Sequence, residues 1–264
     1  MILTPCENLP VLEPCTLPEL NYQIDPYIGC EHYCYYCYVL PQAETDWRKE
    51  IQFHENIAGR LEKTLAAIPP QTIYMGWHTD PYQPCEAESL QTRQVLEVLS
   101  KNGFSASILT KSDLVLRDID VLQSMENASV SVSIAFSDND DRHFFEANTI
   151  DTEKRVSALQ KLKSARVGTS ALLCPVIPYI TDVMPLIDLL AGKADRIWVY
   201  GLSILSNADR NWQNVDKILE DHYPDLKSKI ESAVFSKKNS YWRHIRQDLL
   251  AIANKKELNL SIHL

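Results

Sequence analysis

The order of apolar and polar positions along the chain switches repeatedly between two periods. Ile57, Leu61, Leu65 and Ile68 recur at the spacing of one helix face. Thr72–Gly76, "TIYMG", follows as a short apolar strand. The exchange then repeats. A helix over Leu90–Leu99 is stopped by Asn102-Gly103. A strand over Ser105–Thr110 precedes a helix marked by Val115, Leu116, Ile119 and Leu122. Ser129–Phe136 alternates strictly, as a strand does, and Val156, Leu159 and Leu162 mark the next helix. Strands over Val167–Leu173 and Arg196–Gly201 flank a helix, "DVMPLIDLLA", whose Pro185 is tolerable only in its first turn. Two or three helices follow, and "LNLSIHL" is a candidate last strand.

About six alternations of strand and helix are the mark of βα units on a parallel sheet, so the fold class is α/β. Right-handed crossovers leave such a sheet either open or curled into a barrel. In a curled sheet Val130, Val132, Ile134 and Phe136 would face the helices, and Ser129, Ser131, Ser133 and Ala135 the lumen. A lumen lined with small hydroxyls leaves room for a polar ligand. An edge strand with its serines in water gives the same alternation. Ahead of all this, Pro5, Pro10, Pro14 and Pro18 give the first 20 residues the character of an extended arm.

Composition narrows the class without changing it. The 264 residues suffice for a buried core, and 45 % hydrophobic with 23 % charged residues is globular. No apolar run approaches 18 residues and the start of the chain lacks a signal-peptide pattern, so a cytoplasmic protein without a membrane partner is expected. A net charge of −9 disfavours a general nucleic-acid binder. The stretch from Asp225 to Leu264 differs: eight Lys or Arg stand against four Asp or Glu. This is a docking surface or a set of solvated helix faces.

The chemistry concentrates in "DPYIGCEHYCYYCYVLP", Asp25–Pro41, which holds Cys30, Cys34 and Cys37, three of the seven cysteines. Structural zinc needs four ligands, so zinc here would borrow His32 or one of Cys6, Cys15, Cys85 and Cys174. A four-iron cluster on three cysteines keeps one iron open for a substrate to chelate. The tight spacing of these three, and the scatter of the other four, favours the open site.

These residues resemble a known family. Cys30-x3-Cys34-x-Tyr36-Cys37 is similar to the cluster motif of the radical S-adenosylmethionine (SAM) enzymes. "HTDPYQPCE", "LTKSDLVLRDIDVL", "VSVSIAF" and "CPVIPYITD" then follow in the order of its spore photoproduct lyase-like branch. The resemblance implies a partial (β/α)6 TIM-like barrel over residues 21–205 and a helical extension over 206–264. It implies a 4Fe–4S cluster on Cys30, Cys34 and Cys37, with SAM chelating the fourth iron. Reductive cleavage of SAM would give a 5′-deoxyadenosyl radical that takes hydrogen from a substrate. Tyr36 would pack near the adenine, His78, Thr79 and Asp80 would meet the SAM amino group, and Lys111 and Ser133 its carboxylate.

The namesake enzyme keeps a hydrogen-donating thiol near the end of its second strand. Trp77 and His78 stand there in this chain, and Cys85, a few residues on, is the candidate catalytic thiol. Trp77, His78, Tyr82 and His143 are candidates for the substrate side. The partners implied are an electron donor such as a flavodoxin or ferredoxin and a substrate that is a small molecule, a peptide or a nucleotide. Two other readings stay open: a structural zinc protein, and a non-catalytic iron–sulfur scaffold that binds RNA or protein through its basic end.

Overall fold

The computed structural model describes residues 1–6 and 9–264. Its main sheet is built from βα units. The parallel strands are β3 (Tyr22–Ile24), β6 (Thr72–Met75), β7 (Ser105–Thr110), β8 (Ser129–Ser133), β9 (Gly168–Val176) and β10 (Arg196–Gly201), each beside the next. Strand β11 (Leu260–His263) adds a seventh parallel strand beside β10, and β2 (Glu13–Pro14) pairs antiparallel with β3. Those two outer strands do not pair with each other, so the barrel stays partial.

The crossovers use helices α1 (Ile57–Leu65), α2 (Glu86–Ser89), α3 (Gln91–Lys101), α4 (Ile119–Ser124), α5 (Asn139–Phe145), α6 (Thr152–Ser164) and α7 (Val183–Leu190). Ile73, Met75, Ala106, Ile108, Val130, Val132, Ala171, Leu173, Ile197 and Val199 point outward from the strands into one apolar core shared with these helices. The serines and aromatics between them are left on the inner face, as the alternation of β8 predicts.

A second sheet of three strands carries the cysteine loop. Strand β1 (Ile2–Cys6) runs parallel to β5 (Glu50–His54), and β4 (Tyr27–Ile28) runs antiparallel to it. The expected arm is therefore extended but paired; its residues 7 and 8 lie outside the described residues. Tyr27, Val39, Leu40, Trp47 and Ile51 form a small core under the loop. Gly29 enters it at φ +91°, where a Cβ would stand 2.9 Å from the Trp47 ring. The C-terminal helices α8 (Arg210–His222), α9 (Lys227–Val234) and α10 (Ser240–Lys256) follow β10. Helices α8 and α9 pack Trp212, Val215, Leu219, Ile230 and Val234 onto Cys34, Tyr36, Phe136 and Phe145. No helix among the described residues is long and apolar enough to cross a membrane.

Two local expectations change. The helix read over Val115–Leu122 is a 3-10 turn over Asp113–Asp118 followed by α4. The tighter winding puts Val115 and Asp118, three apart, on one buried side. Asp118 there meets Arg117 at 2.8 Å and Arg93 at 3.2 Å, and Arg117 reaches buried Glu86 at 2.6 Å. Helix α5 is new. Asp138 caps it by accepting from the Asp140 and Asp141 amides, and Arg142 and Phe145 turn inward.

Gly76 ends β6 at φ +101°, with an added Cβ only 2.4 Å from the Leu109 carbonyl oxygen. Gly76→Ala is expected to cost about 1–3 kcal/mol, read as a lower urea midpoint; an unchanged midpoint counts against this tight strand–loop crossing.

Candidate active site

Two tight turns fold the cysteine loop, with the Tyr33 amide donating to the Cys30 carbonyl at 3.1 Å and the Cys37 amide to the Cys34 carbonyl at 2.9 Å. All seven cysteines are free thiols. Burial pushes the Cys34 thiol up to about 12, with Lys111 and Glu146 acting on it in opposite senses. Burial also raises Cys30 well above the ordinary thiol range, and Cys37 rises for the same reason. Backbone amides work the other way: Asp80 donates toward the Cys30 sulfur, and Val39 and Leu40 toward that of Cys37. Three neighbouring thiols that resist ionisation in a dry site, two of which receive amide hydrogen bonds at sulfur, suit a cationic group that would take them as thiolates. His32 is not aimed at them. Its Nδ1 lies 3.1 Å from the Asn148 carbonyl and its Nε2 3.3 Å from Asp80. Among the described residues no three His, Cys, Asp or Glu side chains converge on a point for one ion.

Asp80 organises the strand ends beside the loop. Its carboxylate accepts from the Thr110 hydroxyl at 2.6 Å, the Lys111 amide at 2.7 Å and the Tyr82 amide at 2.9 Å. Burial disfavours its charge, but His32, Thr110 and the Lys111 amide prevail and lower it to about 2. Its share of stability is therefore complete above the ordinary carboxylate range and is lost as pH falls through about 2. Thr79 donates to the Gly29 carbonyl at 2.6 Å, and Gln83 bonds both Thr79 and Gly29 while accepting from the Glu31 amide. Both Thr79 and Asp80 thus hold the cysteine loop in place.

Lys111 lies at the mouth of β7 with its Nζ 5.9 Å from the centre of the Tyr36 ring. Burial opposes its charge, and Cys34 and Glu146 outweigh burial and raise it. No carboxylate among the described residues stands within ion-pair distance of its ammonium. Ser133 is buried, and its hydroxyl donates to the Cys174 carbonyl at 3.1 Å. His78 pairs with Asp25 at 3.0 Å, and Asp25 also accepts from the Trp77 and His78 amides.

Other candidates are placed elsewhere. The Cys85 backbone amide donates to Glu31 at 2.5 Å. Its thiol packs in the small core under the loop, raised by burial and then by Glu31. Cys85 thus packs on the same small core as Cys30 and Cys37. Tyr82 is a core residue whose hydroxyl donates to Asp118 at 3.1 Å, and His143 is exposed on α5; neither lines the inner face. Trp77 does face a cluster of rings, with Tyr38 at 5.9 Å and Tyr74 at 6.0 Å.

Sequence reasoning missed several groups that the fold gathers. Asp25 was readable as the first residue of the cysteine stretch. Glu146 and Arg155 carried no motif signal. Cys174 lies on β9 two residues beyond Leu172, on the strand's inner side. Tyr74, raised chiefly by burial and next by Asp25, feels Cys174 and Tyr200 across the lumen.

Comparison with known proteins fits this geometry. The family model of the radical SAM superfamily matches residues 24–190. An uncharacterized protein of Methanocaldococcus jannaschii is 28 % identical over 248 residues, covering 92 % of this chain and 90 % of its own. One from Mycobacterium tuberculosis is 28 % identical over 209 residues, covering 73 % of this chain and 61 % of its own. Among solved structures, a spore photoproduct lyase mutant with bound AdoMet and dinucleoside spore photoproduct superposes with TM-score 0.69 at 13 % identity, over 98 % of this chain and 81 % of that one. Streptococcus suis SuiB bound to S-adenosylmethionine gives TM-score 0.60 at 12 % identity, over 90 % and 48 %. At such identities the likeness concerns the fold.

Hydrogen bonding to Asp25 holds the His78 imidazole above its ordinary value, against partial burial. A raised histidine lends stability that is complete below its ordinary pKa and lost as pH rises through the raised one. Asp25→Asn is expected to lower the His78 titration midpoint, followed through the imidazole proton resonances; an unmoved midpoint would remove Asp25 as the cause.

Proposed function

Because the chain belongs to the radical SAM superfamily, we propose that it holds a 4Fe–4S cluster on Cys30, Cys34 and Cys37 and binds SAM at the open iron to abstract hydrogen from a substrate in the barrel. The observation that carries this reading is the set of three free thiols on one loop at the mouth of a partial barrel, beside a lysine ammonium that has no carboxylate partner among the described residues. When bound, the cluster and SAM supply a 5′-deoxyadenosyl radical, chemistry that no side chain provides.

The chain's own residues bind, orient and exclude water. Lys111, with no carboxylate of its own, offers a charge-assisted hydrogen bond to the SAM carboxylate. Tyr36 supplies a ring edge near the adenine. Ser133 and the 78–80 turn complete the methionyl end, Thr79 and Asp80 chiefly by fixing the loop. Helices α8 and α9 close the loop against solvent. Cys174 stands on the inner side of β9, which supports it over Cys85 as a hydrogen-donating thiol where the substrate calls for one.

The substrate class stays a proposal at the level of a small molecule, peptide or nucleotide. Of the similar structures, spore photoproduct lyase carries a dinucleoside and SuiB a precursor peptide. A low-potential donor such as a flavodoxin or ferredoxin would supply the electron.

Anaerobic reconstitution is expected to give a brown protein with about four irons per chain and reductant-dependent formation of 5′-deoxyadenosine, lost in Cys34→Ala. A colourless protein with one tightly held zinc would refute the reading. Lys111→Ala is expected to weaken SAM binding by roughly 10- to 100-fold at unchanged iron content, measured by equilibrium titration. Equal affinity in mutant and parent would take Lys111 out of the site.

A further inference from the structure

We infer that Glu146, clamped by Arg155, is a positioning residue: it fixes Tyr36 and sets the charge beside Cys34, so that the cysteine loop presents one rigid face to the bound cofactors. The inference rests on the functional reading above and deepens it. Glu146 follows the last residue of α5 and is fully buried. One carboxylate oxygen accepts from the Tyr36 hydroxyl, and the other stands 2.6 Å from the Arg155 guanidinium.

Arg155, on α6, is only 1 % exposed. It spends its remaining donors on the Ser133 carbonyl at 3.1 Å, the Ile150 carbonyl at 3.0 Å and the Thr149 hydroxyl. The pair thus joins the cysteine loop to the last residue of β8. Arg142 braces the same turn through the carbonyls of Glu146 and Thr149 and through Asp151.

A buried ion pair is weak evidence of stability in itself, because apolar residues of similar volume often serve as well. What it adds here is direction and charge. The Tyr36 ring lies among Cys34, Phe136, Phe145 and Ile177, an apolar setting that does not choose a position for it along the contact. Its bond to Glu146 is its polar anchor, the one side-chain hydrogen bond it makes among the described residues. Lys111 and Arg155 place two cations near Cys34, and Glu146 is the anion that partly offsets them. Hydrogen bonds and net charge around the thiolates are what tune an iron–sulfur cluster.

Two variants of the reconstituted protein separate direction from charge. Tyr36→Phe removes only the hydroxyl. It is expected to load iron like the parent, hold its midpoint potential, and bind SAM about tenfold more weakly, with an altered SAM-induced change in the electron paramagnetic resonance spectrum of the reduced cluster. Glu146→Gln keeps an acceptor for Tyr36 but deletes the charge, and is expected to shift the midpoint potential to more positive values. An iron-loaded Glu146→Gln with the parent's midpoint potential overturns the charge role, and where Glu146→Gln does not fold, Tyr36→Phe decides the positioning role. If iron-loaded Tyr36→Phe matches the parent in SAM affinity and spectrum, the positioning role is wrong while the functional reading stands. A parent protein that takes up no iron overturns both.

Discussion

A carboxylate buried without partners would take up a proton, and the architecture of this mouth depends on Asp80 not doing so. Removing the charge from water costs several kcal/mol. His32 beside it, and three hydrogen bonds to the ionised form that return about 1.5–3 kcal/mol each, keep it charged. The three donors come from two places: the Thr110 hydroxyl and Lys111 amide at the end of β7, and the Tyr82 amide beyond β6. The backbone amide of the same residue points at the Cys30 sulfur. One residue therefore registers two strand ends against the cysteine loop, and its neighbour Thr79 pins the loop at Gly29.

The loop needs such registration because its own sequence gives it little regular structure. Between β4 and β5 it makes only turns and a single 3-10 turn at Leu40–Gln42. Its shape is imposed from three sides. The small core around Trp47 supports it from beneath, the 79–83 turn holds its start, and the α8–α9 layer covers its end. The Asn214 side chain even reaches the Tyr35 carbonyl, at 3.4 Å. The C-terminal helices are thus part of the cysteine loop's enclosure. The basic composition of that stretch describes their outer faces, where Lys227 pairs with Asp216 and Lys256 with Asp188.

Periodicity made the barrel legible because burial on a parallel sheet repeats at fixed intervals. Ser105–Thr110 and Arg196–Gly201 are strands with the bounds read from sequence. Ile57, Leu61 and Leu65 form the buried stripe of α1. Patterns carried by polar residues were not legible in this way. Helix α5 is held by an Asp cap and a buried arginine and shows no apolar period, and the 113–118 turn is wound by the Arg93–Arg117–Glu86–Asp118 ions, which the apolar spacing of Val115, Leu116, Ile119 and Leu122 does not reveal. The same limit applies at the site. Cys30, Cys34 and Cys37 announce themselves by spacing, whereas Glu146, Arg155 and Cys174 are brought to the loop only by folding. Tyr82 and Cys85 stand in the same motif, and the turn that follows β6 sets the first into the main core and the second against the small core under the loop.

What the strands leave inside bears on the kind of chemistry the barrel can host. Closed barrels of eight parallel strands fill their interior with layers of bulky branched side chains. Here the inner positions of β7, β8 and the start of β9 are mostly serine, namely Ser105, Ser107, Ser129, Ser131, Ser133 and Ser170, with Leu109 among them. Ser129 donates to Ser107 at 3.3 Å, while the buried Ser105 hydroxyl has no partner. The bulk is pushed to the two flanks, with Tyr74 and Trp77 on one side and Trp198, Tyr200 and His263 stacked on the other. Small hydroxyls between aromatic walls cannot close-pack against each other, so the interior forgoes packing energy that a structural barrel would keep. A fold accepts that loss where a ligand is to complete the contacts.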